Sequence, residues 1–326
     1  MGSCQVRQWL GACLVAVAAF NPFAASGQEF PSRPITIIDT FAAGGNTDFQ
    51  ARLMAPELAK LLGQPVIVEN RPGASGAVAM EYLTTSLPAD GHALLISAPG
   101  VFILPLTAKN LKADPQRDLT PISVVSESPL LLASSPQAPW SNFNEFVSTV
   151  RANPGKFNFG GSGFGIGMLL VEAVKQRYGL DIVSIPYKGT AQINAGLLAN
   201  EVQLVVTVEA AAPIFLERKA RILAVTGGSR AGSLPEVPTF AQLGFPDMLS
   251  GTILTLSARA GTPTSALLRL NSAVATAMQQ QSIRDSLLKA RMTPTASASL
   301  EAASKRVGDE VALLTRIIKA AGIQPQ

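Results

Sequence analysis

Short apolar runs alternate with helix-period segments, and the alternation restarts part-way along the chain. Pro34–Phe41 reads as a buried strand. Thr47–Leu62 then sets Phe49, Leu53, Met54, Leu58, Leu61 and Leu62 on a helical period that stops at Gly63. Pro65–Glu69 and Ala93–Ser97 read as further strands, with a helix at Ala77–Ser86 between them. Such alternation with short loops gives parallel strands with helices on their faces. Two extended runs follow, Pro121–Val125 and Leu130–Ser134, and the pattern then begins again. Helices are expected at Asn144–Ala152, Met168–Tyr178, Thr190–Ala199 and Ala212–Leu216. Strands are expected at Phe157–Gly160, Ile182–Pro186, Val202–Val208 and Ile222–Thr226. The extended run Gly251–Ala258 leads into helices at Pro263–Gln279, Ser282–Ala290 and Ser299–Ala321. Two crossing zones, near 121–134 and 246–258, would let the chain leave one lobe, build a second and return. The expected class is α/β, each lobe a mostly parallel sheet flanked by helices. Lobe 1 takes residues 28–127 plus 250–326, and lobe 2 takes 128–249.

The first 27 residues read as a secretory signal peptide. Arg7 is the only charge before Glu29, Trp9–Phe20 is apolar, and Asn21-Pro22 and small residues follow. That run falls short of the roughly 20 residues that span a bilayer. Leu10-Gly11-Ala12-Cys13 resembles a lipoprotein cleavage box, but most of the apolar run follows Cys13, where it should precede it. Both cysteines, Cys4 and Cys13, leave with this segment, so disulfides and Cys-ligated metals drop out. A cysteine-free exported chain with 47% hydrophobic and 15% charged residues fits a bacterial periplasm, where a large core needs no staples. The formal net charge is only +4, with Lys and Arg scattered, which argues against nucleic acid as a partner. His92 is the only histidine, so a His-rich metal site is excluded and any Ser-His-Asp enzyme must use it.

Each half carries a strand, a glycine-rich loop and a helix. The first loop holds Ala43, Gly44, Gly45, Asn46, Thr47 and Asp48; the second holds Gly161, Ser162, Gly163, Gly165 and Ile166. Glycines let backbone approach a ligand, and a helix start adds free N–H donors and partial positive charge. Such ends suit a carboxylate or phosphate, beyond the carboxyl ends of the strands. Two of them across a cleft would grip a small anion without Arg or Lys. Tight turns alone explain either glycine loop equally well. Ser97 and Gly100 lie on a third loop, and Tyr187, Lys188 and Gly189 on a fourth. Lys188 could meet an anion or be merely solvated, and Asp48 could bind ligand or only complement its helix dipole. A β-carbon at Gly45 is expected to obstruct backbone approach.

Enzyme motifs fare poorly. Met168 breaks a G-x-G-x-x-G pattern, and no lysine completes a phosphate loop. Gly73-Ala-Ser75-Gly-Ala77 nearly matches a nucleophile elbow, but its acid and base would be Asp90 and His92, in the next turn. A secreted hydrolase is therefore the remote alternative.

A series of short motifs resembles the substrate-binding proteins of the tripartite tricarboxylate transporters, the Bug-type receptors. They include Pro31-Ser-Arg-Pro-Ile35, Gly44-Gly-Asn-Thr-Asp48, Gly63-Gln-Pro-Val66 and Glu69-Asn-Arg-Pro-Gly73. Ala89-Asp-Gly91, Asn153-Pro-Gly-Lys156, Pro186-Tyr-Lys-Gly189, Leu234-Pro-Glu-Val-Pro-Thr239 and Ala260-Gly-Thr-Pro263 follow in order. The resemblance implies a two-lobed Venus-flytrap fold of type II-like kind. It implies a receptor that captures a small carboxylate in the cleft and delivers it to a two-subunit membrane permease; a periplasmic monomer without cofactor or catalysis is the accompanying expectation. Some relatives instead present ligand to a sensor kinase. The second loop departs from the family pattern: Gly161, Ile166 and Leu169 stand where it has Ser, Thr and His. Gln203 replaces an Asp and Ile253 an aromatic residue. Those losses point away from citrate-like polyacids and toward a ligand with one apolar end.

Overall fold

A computed structural model describes residues 30–162, 165–227, 230, 234–246, 251–320 and 322. The signal segment 1–27 and Gly163 lie outside the described residues. The first unit runs β1 (Ile35–Asp39), α1 (Asn46–Leu62), β2 (Val66–Asn70), α2 (Ala77–Glu81) and β3 (Ala93–Ser97). A 3₁₀ turn at Pro99–Ile103 leads through α3 (Leu104–Thr107) and α4 (Pro115–Asp118) to β4 (Leu119–Ser128). The second unit comprises β5 (Leu130–Ser134), α5 (Phe143–Ala152), β6 (Asn158–Gly161), α6 (Ile166–Tyr178), β7 (Val183–Pro186) and α7 (Thr190–Leu198). It continues with β8 (Leu204–Val208), α8 (Ala212–Glu217) and β9 (Arg221–Val225). The chain then returns through β10 (Thr252–Arg259), α9 (Thr264–Ala277), α10 (Gln281–Lys289), β11 (Thr293–Pro294) and α11 (Leu300–Ala320).

Two sheets result, ordered β11-β4-β10-β3-β1-β2 and β7-β6-β8-β5-β9. Most strands of each sheet run in one direction, as expected, and each sheet also holds reversed strands. In the first sheet β2, β1, β3 and β4 run one way with β10 and β11 against them, and in the second β7, β6, β8 and β9 run one way with β5 against them. The physical reason is the crossing. Only Pro129 separates β4 from β5, so one extended segment feeds both sheets, and Thr252 of the returning β10 pairs with Ser128 beside it.

Burial follows the strand period. Ile35, Ile37, Leu94 and Ile96 pack with Met54, Leu58, Leu270 and Val274 on one face of the first sheet. Ile38 and Leu95 pack with Met80, Leu83, Phe102 and Val307 on the other. A sheet covered on both faces explains why its strands read as continuous apolar runs. The second sheet packs Phe146, Phe159, Leu170 and Val206 on one side and Leu131, Ile193, Val205 and Phe215 on the other. The last helix serves both units. Val307 of α11 lies in the first core, whereas Leu314, Ile317 and Ile318 lie in the second. The expected division gave all of 250–326 to the first lobe, and this helix does not respect it.

Candidate functional site

β1 ends in Asp39, its only charged residue, and that carboxylate organises the first loop. Asp39 accepts from the Phe41 amide at 3.0 Å, from Thr47 Oγ1 at 3.0 Å and from Asn70 Nδ2 at 3.1 Å. Asn70 also donates to the Phe41 carbonyl at 3.1 Å. Asp48 turns back on the same loop, accepting from the Gly44 amide and from Arg52 Nε, both at 2.9 Å. Burial pushes the Asp39 carboxyl up to about 7, against the pull of the Phe41 amide and the Thr47 hydroxyl. Burial pushes Asp48 up too, but Arg52 and the Gly44 amide more than offset it and hold it below the usual carboxylate range. This web fixes the start of α1, where the amides of Asn46, Thr47 and Asp48 have no intrahelical carbonyl to bond.

The second loop is held differently. Gly165 caps α6 with extended backbone and no side-chain bond, and no acidic residue lies in the first turn. Packing sets the position: a β-carbon on Gly167 would lie 3.2 Å from Val206 Cβ. Absence of a side chain therefore lets α6 rest close on β8.

Both helix starts reach one cavity of about 120 Å³ between the two sheets. Its walls include Asn46, Thr47, Ser75, Gly100 and Val101 from the first unit. Phe159, Gly161, Ser162, Gly165, Ile166, Gly167, Met168, Thr190 and Thr207 line it from the second. Ser128, Leu130, Thr252 and Leu254 come from the crossing strands. Among the described residues no charged side chain lines this cavity. Any anion held there is held by amides and hydroxyls, with helix ends supplying the positive potential.

Of the expected site residues, Asn46, Thr47, Gly100, Gly161, Ser162, Gly165 and Ile166 meet at this cavity. The others stand elsewhere. Ala43 is exposed, and Gly44 and Gly45 line a neighbouring groove with Asn194 and Met292. Gly45 has φ −81°, whereas Gly44 has φ +80°, so the left-handed backbone that favours glycine sits at Gly44. Asp48 is committed to its own loop. Ser97 is buried inside the sheet opposite Thr255. Tyr187 donates its hydroxyl to Glu201 at 3.0 Å. Lys188 is exposed, and its carbonyl accepts from the Ala42 amide across the cleft at 3.4 Å. Gly189 packs against Ala42.

Sequence reading missed Ser75 as a cleft residue, together with Val101, Ser128, Leu130, Phe159, Thr207 and Thr252. Ser128 and Thr252 had a signal, since they flank the crossing. Thr207 had one too, as the lone hydroxyl in the apolar strand Leu204–Val208. The hydrolase constellation does not assemble. Ser75 lines the cavity, but His92 precedes β3 and receives the Ser32 amide at 3.1 Å. The five residues of β3, roughly 16 Å of strand, separate His92 from the cleft end. Among the described residues no cluster of three or more His, Cys, Asp or Glu could hold a metal ion, and no helix is long and apolar enough to cross a membrane.

Comparison with known proteins agrees with this architecture. The family described as tripartite tricarboxylate transporter family receptor matches residues 50–323. The UPF0065 protein in the gbd 5′ region of Cupriavidus necator is 34% identical over 277 residues, 85% of this chain and 84% of that one. BugT of Bordetella pertussis is 31% identical over 277 residues, 82% of this chain and 83% of its own. Among solved structures, the periplasmic binding protein BugD superposes with a TM-score of 0.84 at 26% identity, over 91% of this chain and 100% of its own. R. palustris Rpa4515 with adipate gives 0.83 at 32% identity, over 91% and 100%. MatC from Rhodopseudomonas palustris with bound malate gives 0.82 at 28%, over 89% and 100%. The fold is thus the two-lobed periplasmic-binding-protein fold.

Proposed function

The chain belongs to the tripartite tricarboxylate transporter receptor family, and on that footing we propose that it captures a small carboxylate between its two sheets and delivers it to a membrane permease. The supporting observation is a cavity walled by two helix starts and, among the described residues, by no charged side chain. Adipate and malate, the molecules held by two of the structural neighbours, share carboxylate chemistry. The division into lobes 28–127 plus 250–326 and 128–249 is kept with one change: α11 straddles both. Segment 1–27 directs export to the periplasm, where the protein acts as a monomer. The separation of Ser75 from His92 favours binding without catalysis.

The energetics set the number of contacts. A helix end contributes about 0.3–1 kcal/mol to a bound charge, up to about 2 when partly buried. Micromolar affinity needs roughly 8 kcal/mol, so hydroxyls and apolar walls must add the rest. A thermal-shift screen of mono-, di- and tricarboxylates tests the reading. At least one carboxylate should raise the melting temperature, and a response confined to neutral sugars or cations would overturn it.

A further inference from the structure

The start of α1 carries a hydrogen bond that belongs neither to the polar web nor to the core. Asn46 and Gln50 stand one helical turn apart on the same ridge, and Gln50 Nε2 donates to Asn46 Oδ1 at 3.0 Å. The two residues have opposite surroundings. Gln50 is 1% exposed, lines neither the cavity nor the groove beside it, and leaves its Oε1 buried without a partner among the described residues. Asn46 is half-buried and lines both spaces, together with Thr190 and Val208 of the second unit. It therefore stands where the groove meets the cavity. With its carbonyl engaged by Gln50, its Nδ2 has no acceptor among the described residues and is not itself buried. A buried amide with an unpaired carbonyl is unfavourable, and Leu at position 50 would avoid it. The bond to Asn46 gives that amide a use. An Asn side chain presents a donor or an acceptor according to how its amide is turned. Turning both amides over would pair Asn46 Nδ2 with Gln50 Oε1 and bury the Gln50 NH₂ group unpaired. Orphaned buried N–H groups are rarer than under-satisfied carbonyls, so the observed orientation is the favoured one.

We propose that Gln50 is a positioning residue for this site: it holds the Asn46 amide with the NH₂ group toward the cleft, where that group donates to a carboxylate oxygen of the ligand. The proposal rests on the carboxylate-receptor reading and deepens it. No Lys, Arg or His lines the cavity among the described residues, so a carboxylate there depends on neutral donors to replace its water. A carbonyl oxygen turned into the cleft at Asn46 would repel it instead. Asn46 is also the first residue of α1, so its side-chain donor belongs to the helix start whose backbone N–H groups lack intrahelical partners. Gln50 acts only through Asn46, since it reaches neither open space itself.

Titration calorimetry with butanoate, succinate, malate, adipate and citrate tests the proposal on the parent, Gln50→Leu, Asn46→Ala and the double variant. For the carboxylate that binds the parent most tightly, Asn46→Ala should weaken binding by roughly 10- to 100-fold, the range for a hydrogen bond to a charged group. Gln50→Leu should weaken it by about 3- to 10-fold, because the freed Asn46 amide holds the donating orientation only part of the time. In the Asn46→Ala background, Gln50→Leu should change affinity by less than about twofold. A residue that merely supports the fold would weaken binding equally in both backgrounds. Nitrogen-correlated NMR of the parent supplies a second reading: the carboxylate should shift the side-chain NH₂ signals that are missing from Asn46→Ala. Parent-like binding by either single variant, equal losses from Gln50→Leu in both backgrounds, or unmoved Asn46 NH₂ signals overturns this proposal and leaves the receptor reading standing. Failure of every carboxylate to bind overturns both.

Discussion

The starts of α1 and α6 face one cleft but are built from opposite materials. A polar web holds the α1 start: Asp39 anchors Thr47, Phe41 and Asn70, and Asp48 joins Gly44 to Arg52. Packing against β8 holds the α6 start, with no side-chain cap and no acid in its first turn. The web fixes its amides whether or not ligand is bound, but it brings two carboxyl groups close to where an anion would sit. The bare start brings none, and its partial charge stays available. For an anion held in this cleft, position would come from the first loop and attraction from the second, a division that glycine content alone does not reveal, since both loops are rich in it.

The largest expected effect exposes the web's electrostatic burden. The Asp39 carboxyl stands at about 7 against an ordinary 3.8 because burial disfavours its charge. Between those values the folded chain keeps a proton that the unfolded chain releases, so the stability from this group is present below pH 4 and is lost as pH rises through 7. At about 1.4 kcal/mol per pKa unit the full effect is roughly 4 kcal/mol. Asp39→Asn cannot titrate. Chemical denaturation from pH 4 to 8 should show the parent losing stability relative to Asp39→Asn by that order, while contributions common to both, such as that of Glu310, cancel. Parallel curves would mean that water reaches the web and that Asp39 ionises as an ordinary surface carboxyl does.

On the opposite side, Gly167→Val should abolish the close packing of α6 on β8 and drive a side chain toward the cleft. Overpacking should lower stability by about 1–3 kcal/mol, and carboxylate affinity should fall about 100-fold by calorimetry. Retained affinity would show that the α6 start is not a binding wall. Asn70→Ala ranks next. It removes the donor to Asp39 and to the Phe41 carbonyl, and should lower stability by about 1–2 kcal/mol in urea unfolding. Affinity should fall less than in Gly167→Val, because the α6 start is untouched. A larger affinity loss in Asn70→Ala would reverse the roles assigned to the two loops.

Local pattern carried much of this architecture. β3 falls at Ala93–Ser97, as its apolar run indicates, and α1 begins within one residue of its expected start. Both glycine loops were visible because strand and helix periods flank them. Information held in tertiary contacts was not. The turn at Pro99–Ile103 has no period to read, yet it brings Gly100 and Val101 into the cleft. The helical period of α11 shows a helix but not that its two halves enter different cores. Apolar runs at 121–134 and 251–258 showed extension but not direction, so the reversal of β5 and β10 was not legible. Asp39 had a local signal, the one charge in its strand, but only the fold shows that it serves as scaffold for the first loop and does not line the cavity.

The smallest expected effects separate two adjacent glycines. Gly44 has φ +80° and open space where a β-carbon would go, so Gly44→Ala strains backbone without a clash. The strain should lower stability by about 1 kcal/mol. Gly45 has φ −81°, and its β-carbon would lie 3.3 Å from the Ala42 carbonyl oxygen, a contact that a shift of a few tenths of an ångström relieves. Gly45→Ala should therefore cost less than about 1 kcal/mol. Neither residue lines the main cavity, so both variants should bind carboxylates within about threefold of the parent by calorimetry. A tenfold loss in Gly45→Ala at near-parent stability would show that ligand approaches the first-loop backbone as closely as its glycines allow. The polar web would then be a direct binding element, and the contrast with the bare second loop would collapse.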